Sequence, residues 1–173
     1  MTRIRISLVA LTALAALSLA ASACKSGDAS ESAPSPAEGA GHVVKAADAA
    51  GKAPFVGAYE QLRAALANDD LAAAKAAAGK LAAADGASAG VVAGAKGVEG
   101  AGDIAAARVA FGEASKAYIE QLVADPELAE GTYVFRCPMA KGYKKWVQLT
   151  DALENPYMGQ EMLDCGSPSK LEP

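Results

Sequence analysis

Residues 104–122, IAAARVAFGEASKAYIEQL, carry the pattern that decides the fold class of this chain. Apolar side chains recur there at helical spacing along one face, at Ile104, Ala107, Phe111, Ala114, Tyr118 and Leu122. Asp103 supplies a side-chain oxygen for an N-terminal cap. Pro126 disfavours helical backbone at the residue before it, so we expect the helix to end by Asp125.

Two shorter helical patterns precede this segment. The first places Phe55, Tyr59, Leu62 and Leu66 on one face, and the second does the same with Leu71, Ala74, Ala78 and Leu81. The polar run Asn68-Asp69-Asp70 separates them and offers cap oxygens for the second helix. We expect the two segments to form an antiparallel helical hairpin.

Glycine dominates the stretch between this hairpin and the helix at residue 104. Residues 86–102 contain six glycines around Val91, Val92 and Val98. Each glycine inside a helix costs about 1 kcal/mol relative to alanine. The stretch is therefore predicted to be either a long loop or a short, weak helix held by its neighbours.

Sulfur and aromatic side chains concentrate after the long helix. Residues 133–140 read YVFRCPMA and residues 155–166 read NPYMGQEMLDCG, with Trp146 between them. Every methionine except the initiator lies in this region, together with Cys137 and Cys165. Because these side chains are the least interchangeable in the chain, we expect function here first.

The sulfur-rich region is predicted to contain little regular structure. Residues 133–135 have strand propensity, but Pro138 cannot donate to a ladder, which limits them to an edge strand or an extended segment. Asn155 and Pro156 favour the start of a short helix that runs to about Asp164, with Gly166 as its stop. The predicted fold is mainly α, a small bundle of about four helices with a short extended segment that carries Cys137-Pro138-Met139.

The sulfur atoms suggest two uses. On the predicted helix Met158, Met162 and Cys165 stand at i, i+4 and i+7 and would face one way. Thiolate and thioether ligands favour Cu(I) over calcium, magnesium or manganese. The candidate metal ligands are Cys137, Met139, Met158, Met162 and Cys165. Alternatively, Cys137 and Cys165 form a disulfide worth about 3–4 kcal/mol while the methionines fill gaps in the core.

The N-terminus has the pattern of an export signal. Arg3 and Arg5 precede an apolar run, and small residues stand just before Cys24. This segment resembles a bacterial lipobox, which implies that residues 1–23 are removed and that Cys24 is diacylated, for example with palmitate. The alternative is an ordinary secretory signal. Lys25 after the cysteine favours the outer membrane, so we expect a lipid-anchored protein at the periplasmic face.

A polar segment separates the anchor from the folded part. Residues 24–53 are rich in serine, glycine, proline and alanine, so they are predicted to form a disordered tether, and the single histidine, His42, lies in it. The helical domain is predicted to span residues 54–167, with a C-terminal tail at 168–173. Loss of the signal would change the net charge from −4 to −6, which argues against a nucleic-acid partner.

The C-terminal motifs resemble a known family. Cys137-Pro138-Met139-Ala140, Trp146, Asn155-Pro156-Tyr157, Gly159, Met162-Leu163 and Cys165-Gly166 match its pattern. This family is an uncharacterised bacterial domain with a CPMA…W…NPY(F/Y)G…ML.CG signature, and the resemblance covers about residues 54–167. Its members occur as exported lipoproteins and as parts of heavy-metal efflux adaptor proteins. The resemblance therefore implies a soft metal, most of all Cu(I), and efflux adaptor components as partners.

The same resemblance assigns roles to individual positions. Cys137, Met139, Met162 and Cys165 fall in the signature, whereas Met158 stands where an aromatic side chain is usual. The Cys-Pro-Met piece also resembles a short heavy-metal-binding segment with a YxCPMHP pattern, although Ala140 replaces its histidine. The family signature thus leaves metal binding and a disulfide-stapled interaction module without metal as the two predictions for the cysteines.

Sequence motifs typical of enzymes do not occur in this chain. There is no Gly-x-Ser-x-Gly elbow, no phosphate-binding glycine loop followed by lysine, and no histidine after His42. The cysteine spacing matches neither a zinc finger nor a CxxC redox motif. We therefore predict a protein that is not an enzyme.

Overall fold

The structure, a computed structural model, describes residues 52–173. The predicted signal peptide, Cys24, His42 and nearly all of the predicted tether lie outside the described residues. Within residues 52–173 the helices are α1 (Pro54–Ala67), α2 (Leu71–Ala82), α3 (Ala89–Glu99), α4 (Ile104–Ala124) and α5 (Pro126–Ala129). The strands are β1 (Tyr133–Arg136), β2 (Lys145–Gln148) and β3 (Ser167–Pro168), with a short 3₁₀ helix at Gly159–Met162. The predicted mainly α fold is confirmed.

Helices α2 and α4 begin at the caps that the sequence predicts, and α4 ends before Pro126 as predicted. Asp70 Oδ1 accepts a hydrogen bond from Ala73 N at 2.8 Å and caps α2. Asp103 Oδ1 does the same for Ala106 N at 2.8 Å and caps α4, which ends one residue before Asp125. None of the helices within residues 52–173 is both long and apolar enough to cross a membrane.

The glycine-rich stretch forms helix α3, which confirms the second of the two predicted alternatives. Ser88 Oγ caps it by accepting from Val91 N at 3.4 Å. A β-carbon at Gly94 would lie 2.4 Å from the backbone nitrogen of Ala114 on α4. Glycine therefore lets α3 and α4 approach closely, and packing against α4 compensates for its low helix propensity.

A three-stranded antiparallel sheet with the order β2-β1-β3 follows the helices. The prediction of an edge strand at residues 133–135 is wrong, because β1 is the central strand. Pro138 lies two residues beyond the end of β1, so its missing N–H removes no ladder hydrogen bond. Strand β3 crosses the predicted domain boundary at residue 167, and Leu171 packs against the core.

The predicted α-helix from Pro156 to Asp164 is also wrong. Residues 156–158 form a turn, and only Gly159–Met162 is helical, with 3₁₀ geometry. Gly159 has a φ of +63°, and a β-carbon there would lie 2.2 Å from Asp69 Oδ1. The chain turns left-handed at Gly159 because it passes over the side chains of Asp69 and Arg108.

This turn removes the regular spacing on which the predicted sulfur face depends. Met158, Met162 and Cys165 do not share the face of an α-helix, because Met158 precedes the left-handed Gly159 and Cys165 follows the end of the 3₁₀ helix. The predicted helix cap at Asn155 is also wrong, because the 3₁₀ helix has Met158 at its N-cap position and Asn155 instead holds the turn before it. Asn155 Oδ1 accepts hydrogen bonds from Tyr157 N at 2.8 Å and Met158 N at 3.2 Å.

Candidate metal and thiol site

Cys137 lies directly after β1 at the start of a tight turn. Its backbone N–H donates to Lys144 O at 3.0 Å, which continues the pairing of β1 with β2 by one step. Ala140 N donates to Cys137 O at 3.3 Å and closes the turn through Pro138 and Met139. The Cys137 side chain is 0% exposed. The turn therefore holds a thiol inside the domain at the end of the sheet.

Cys165 approaches this turn from the other side of the sheet. It precedes β3, whose residue Ser167 is in register with Arg136, the neighbour of Cys137. The two sulfur atoms lie 3.6 Å apart and both thiols are free. A β-carbon at Gly166 would lie 3.0 Å from the Trp146 ring, so glycine here lets the Cys165 segment lie close to β1 and β2.

Asn155 connects the two cysteine segments. It is 0% exposed, its backbone N–H donates to Leu163 O at 2.7 Å, and its side-chain Nδ2 donates to Cys165 O. The same side chain lies close enough to Cys137 to lower the pKa of its thiol. The sequence predicts Asn155 only as a helix cap, and its contacts with both cysteines come from tertiary structure that no local pattern shows.

The surroundings of the two thiols shift their pKa values in opposite directions. Burial raises the pKa of Cys137, but hydrogen bonds from the Asn155 side chain and the backbone N–H of Met139 lower it. The Cys165 thiol and the backbone N–H of Ala140 add to this lowering, and the net pKa is below the ordinary value. The hydrogen bond to Cys137 raises the pKa of Cys165, as do burial and nearby negative charge. The pair therefore favours one thiolate, at Cys137, beside one thiol.

The methionines lie around this pair in different settings. Met139 is 58% exposed, and with Met158 it lines a groove of about 230 Å³ whose walls include Arg108 and Tyr157. Met162 is half-buried in the 3₁₀ helix, and its carbonyl accepts from Cys165 N at 3.1 Å. The structure thus brings Cys137 and Cys165 together, whereas Met139 and Met158 meet in a groove that neither cysteine lines.

The sulfur pair has a spacing that fits one shared metal ion. Two sulfur atoms bound to the same metal at about 2.3 Å with a tetrahedral angle lie about 3.8 Å apart. The observed separation of 3.6 Å between Cys137 Sγ and Cys165 Sγ is close to this value. Within residues 52–173, no group of three or more histidine, cysteine, aspartate and glutamate side chains could hold a metal ion.

A buried ion-pair cluster supports the segment that leads to Asn155. Arg63 on α1 is 1% exposed and contacts Glu60 at 2.6 Å and Glu154 at 3.0 Å. None of these three residues was predicted from the sequence to have a special role. A signal was present, because Arg63 follows Tyr59 by four residues and therefore lies on the apolar face of α1.

Comparisons with protein-family models, with curated proteins and with solved structures found no match to this chain. The resemblance of the C-terminal motifs to the family of bacterial domains described above therefore remains a prediction.

Proposed function

We propose that this protein binds a soft transition metal, Cu(I) above all, through Cys137 and Cys165. The observation that carries this proposal is the 3.6 Å separation of two free sulfur atoms, one on a buried and one on a half-buried cysteine. Soft thiolate ligands favour Cu(I) over the hard cations that carboxylates bind. The lowered pKa of Cys137 supports the proposal, because a metal binds the thiolate rather than the thiol.

A methionine is proposed to complete the site. Met139 is the first candidate because it follows Cys137 by two residues in the same turn, and its backbone N–H helps to lower the pKa of the Cys137 thiol. Met162 is the second candidate, since its backbone contacts Cys165, and Met158 is the third. Leucine has nearly the same volume as methionine and lacks the sulfur, so single Met→Leu variants remove the ligand with little change in packing.

In the cell we propose that the protein buffers the metal or passes it to heavy-metal efflux components. The proposed place is the periplasmic face of the outer membrane, with lipid on Cys24 and residues 24–53 as a tether. The mature N-terminus can be identified by mass spectrometry of the protein from its native membrane. A diacylated Cys24 is expected, and an unmodified N-terminus would contradict the anchor without bearing on the metal.

The metal proposal is tested by an anaerobic titration with Cu(I) against a competing chelator. The full chain carries Cys24→Ser, so that Cys137 and Cys165 are its only cysteines. One Cu(I) per chain is expected, and binding should be lost in the Cys137→Ser/Cys165→Ser variant. The three Met→Leu variants serve as matched controls, and the one that weakens binding identifies the third ligand. Undiminished binding without the cysteines would overturn the proposed site.

A second candidate function is an interaction module of the cell envelope that is stapled by a Cys137–Cys165 disulfide and binds no metal. The contact distance between the sulfur atoms favours it, since a bond requires a change from 3.6 Å to about 2.0 Å. Thiol labelling of protein purified without reductant separates the two functions. Free thiols favour the metal site, and blocked thiols without copper favour the staple.

A further inference from the structure

The two cysteines differ in access to solvent. Cys137 is 0% exposed and lies under the turn that it begins, whereas Cys165 is only half-buried. Their sulfur atoms are nevertheless in contact at 3.6 Å. A molecule arriving from solvent therefore meets Cys165 first, with the Cys137 sulfur directly behind it. This is the arrangement of an attacking thiol and a resolving thiol.

The backbone around the pair permits a bond between them. Cys165 is followed by Gly166 and has coil geometry, so its side chain is not fixed by a helix or by ladder pairing. The pairing of Arg136 with Ser167 fixes the two chain segments just beside the cysteines. A disulfide here needs local adjustment of the side chains and leaves the sheet register unchanged.

From this geometry we propose that the protein exchanges its dithiol with small-molecule disulfides, with Cys165 as the attacking cysteine and Cys137 as the resolving one. Cys165 first passes its proton to the Cys137 thiolate in contact with it, and the resulting Cys165 thiolate attacks one sulfur of the small disulfide. A mixed disulfide forms on Cys165, and the first small thiolate leaves and takes up the proton from Cys137. The Cys137 thiolate then attacks Cys165 Sγ, which forms the Cys137–Cys165 bond and releases the second thiolate.

The exchange balances in atoms and electrons. The dithiol loses two electrons and two protons, and the small disulfide is reduced to two small thiols that take up those protons. The reverse reaction, with the small thiol in excess, restores the dithiol. A disulfide would also abolish metal binding, because it removes both cysteine ligands together. This consequence rests on the proposed function. The exchange itself requires no metal.

The test uses the full Cys24→Ser chain in buffers with varied ratios of oxidised to reduced glutathione, followed by acid quenching and mass spectrometry. We expect a fraction of the protein to lose the mass of two hydrogens, as a disulfide forms, without a lasting glutathione adduct. The ratio of oxidised to reduced glutathione should set this fraction. The Cys137→Ser variant should accumulate one glutathione on Cys165. In the Cys165→Ser variant, Cys137 should react with glutathione at least about tenfold more slowly than Cys165 does in the Cys137→Ser variant, because access limits thiol reactivity.

Two controls make the outcomes decisive. In denaturant the two single variants should react at similar rates, which shows that burial causes the difference in the folded protein. Faster modification of Cys137 than of Cys165 in the folded variants would overturn the assigned roles, and no disulfide at any buffer ratio would overturn the exchange.

One equivalent of Cu(I) should protect Cys165. Exchange that proceeds normally with bound copper would contradict the proposed metal ligands and leave the exchange intact.

Discussion

The helices α1 to α4 and the segment from residue 133 to residue 168 are held together by different interactions. Apolar side chains and small residues pack the helices, with Leu62, Leu81 and Phe111 all 0% exposed. The later segment has short strands and one 3₁₀ helix, and buried polar side chains anchor it in addition to apolar residues such as Phe135 and Trp146. Gln148 and Asn155 lie within it at 0% exposure and bond to its backbone.

Arginines of the helices reach across to the same segment. Arg63 on α1 donates to Glu154 O at 3.1 Å, and Arg108 on α4 donates to Pro156 O at 2.9 Å. These two carbonyls flank Asn155, whose side chain contacts both cysteine segments. The position of the thiols therefore depends on a few buried polar groups that join the helices to this segment, and the loss of one such group is costly.

The largest expected effect comes from the ion pair that joins the two regions. Arg63→Met should lower the free energy of unfolding by about 3–5 kcal/mol, because it leaves Glu60 buried without its cation. Urea unfolding at neutral pH measures this loss. Lys116→Met is the control, since its contact with Glu120 is exposed and worth about 0–1 kcal/mol.

The same variant has a predictable pH dependence. Burial raises the pKa of Glu60, and the charge of Arg63 opposes this shift. Without Arg63 the pKa of Glu60 in the folded state rises further above its value in the unfolded state. The folded state therefore binds a proton at a higher pH than the unfolded state, and acid favours folding. The deficit of Arg63→Met should therefore shrink between neutral pH and roughly pH 5. A deficit that grows towards acid would show that Glu60 stays ionised without Arg63, held by its hydrogen bond from Leu149 N.

A smaller effect is expected where two helices meet. Gly94→Ala should destabilise the protein by about 1–2 kcal/mol, because overpacking against the Ala114 backbone outweighs a gain in helix propensity of about 1 kcal/mol. Gly97→Ala is the matched control on the same helix. Its β-carbon would lie 3.1 Å from the Ala110 methyl group, a contact that small shifts relieve. Thermal unfolding measures the stability of both variants. Equal stability of Gly94→Ala and Gly97→Ala would contradict close packing at Gly94.

The most local effect concerns the thiol at Cys137. Asn155→Asp removes the amide donor and adds a negative charge, so the pKa of Cys137 should rise from its lowered value. Ultraviolet absorbance of the thiolate against pH measures it in the Cys24→Ser chain. Gln148→Glu is the control, because this equally buried amide contacts Thr150 and Trp146 and no thiol. A similar shift in both variants would indicate general loosening of the segment.

The two regions also differ in how far the sequence predicts them. Helical spacing and the caps at Asp70 and Asp103 identify α2 and α4 because helices depend on neighbours within a few residues. At Gly159 the chain makes a left-handed turn in place of the predicted α-helix. Arg108 and Asp69, which lie far away in the sequence, leave no room for a β-carbon there. No local pattern contains that information.

The candidate site is predicted in part for the same reason. Composition and motif point to Cys137 and Cys165, but their approach to 3.6 Å depends on the pairing of β1 with the two-residue strand β3. A strand of two residues is too short to show the alternation of apolar and polar residues that identifies a strand in a sequence. The role of Asn155 between the cysteines and the exposure of Met139 likewise require the tertiary arrangement.

We propose that Cys137 and Cys165 together bind one soft metal ion. X-ray absorption at the copper edge, on the Cys24→Ser chain loaded anaerobically with one Cu(I), identifies the atoms that bind the metal. We expect a ligand shell of at least two sulfur atoms that is lost in the Cys137→Ser/Cys165→Ser variant. A shell of nitrogen and oxygen atoms, or a sulfur shell that survives without both cysteines, would contradict it.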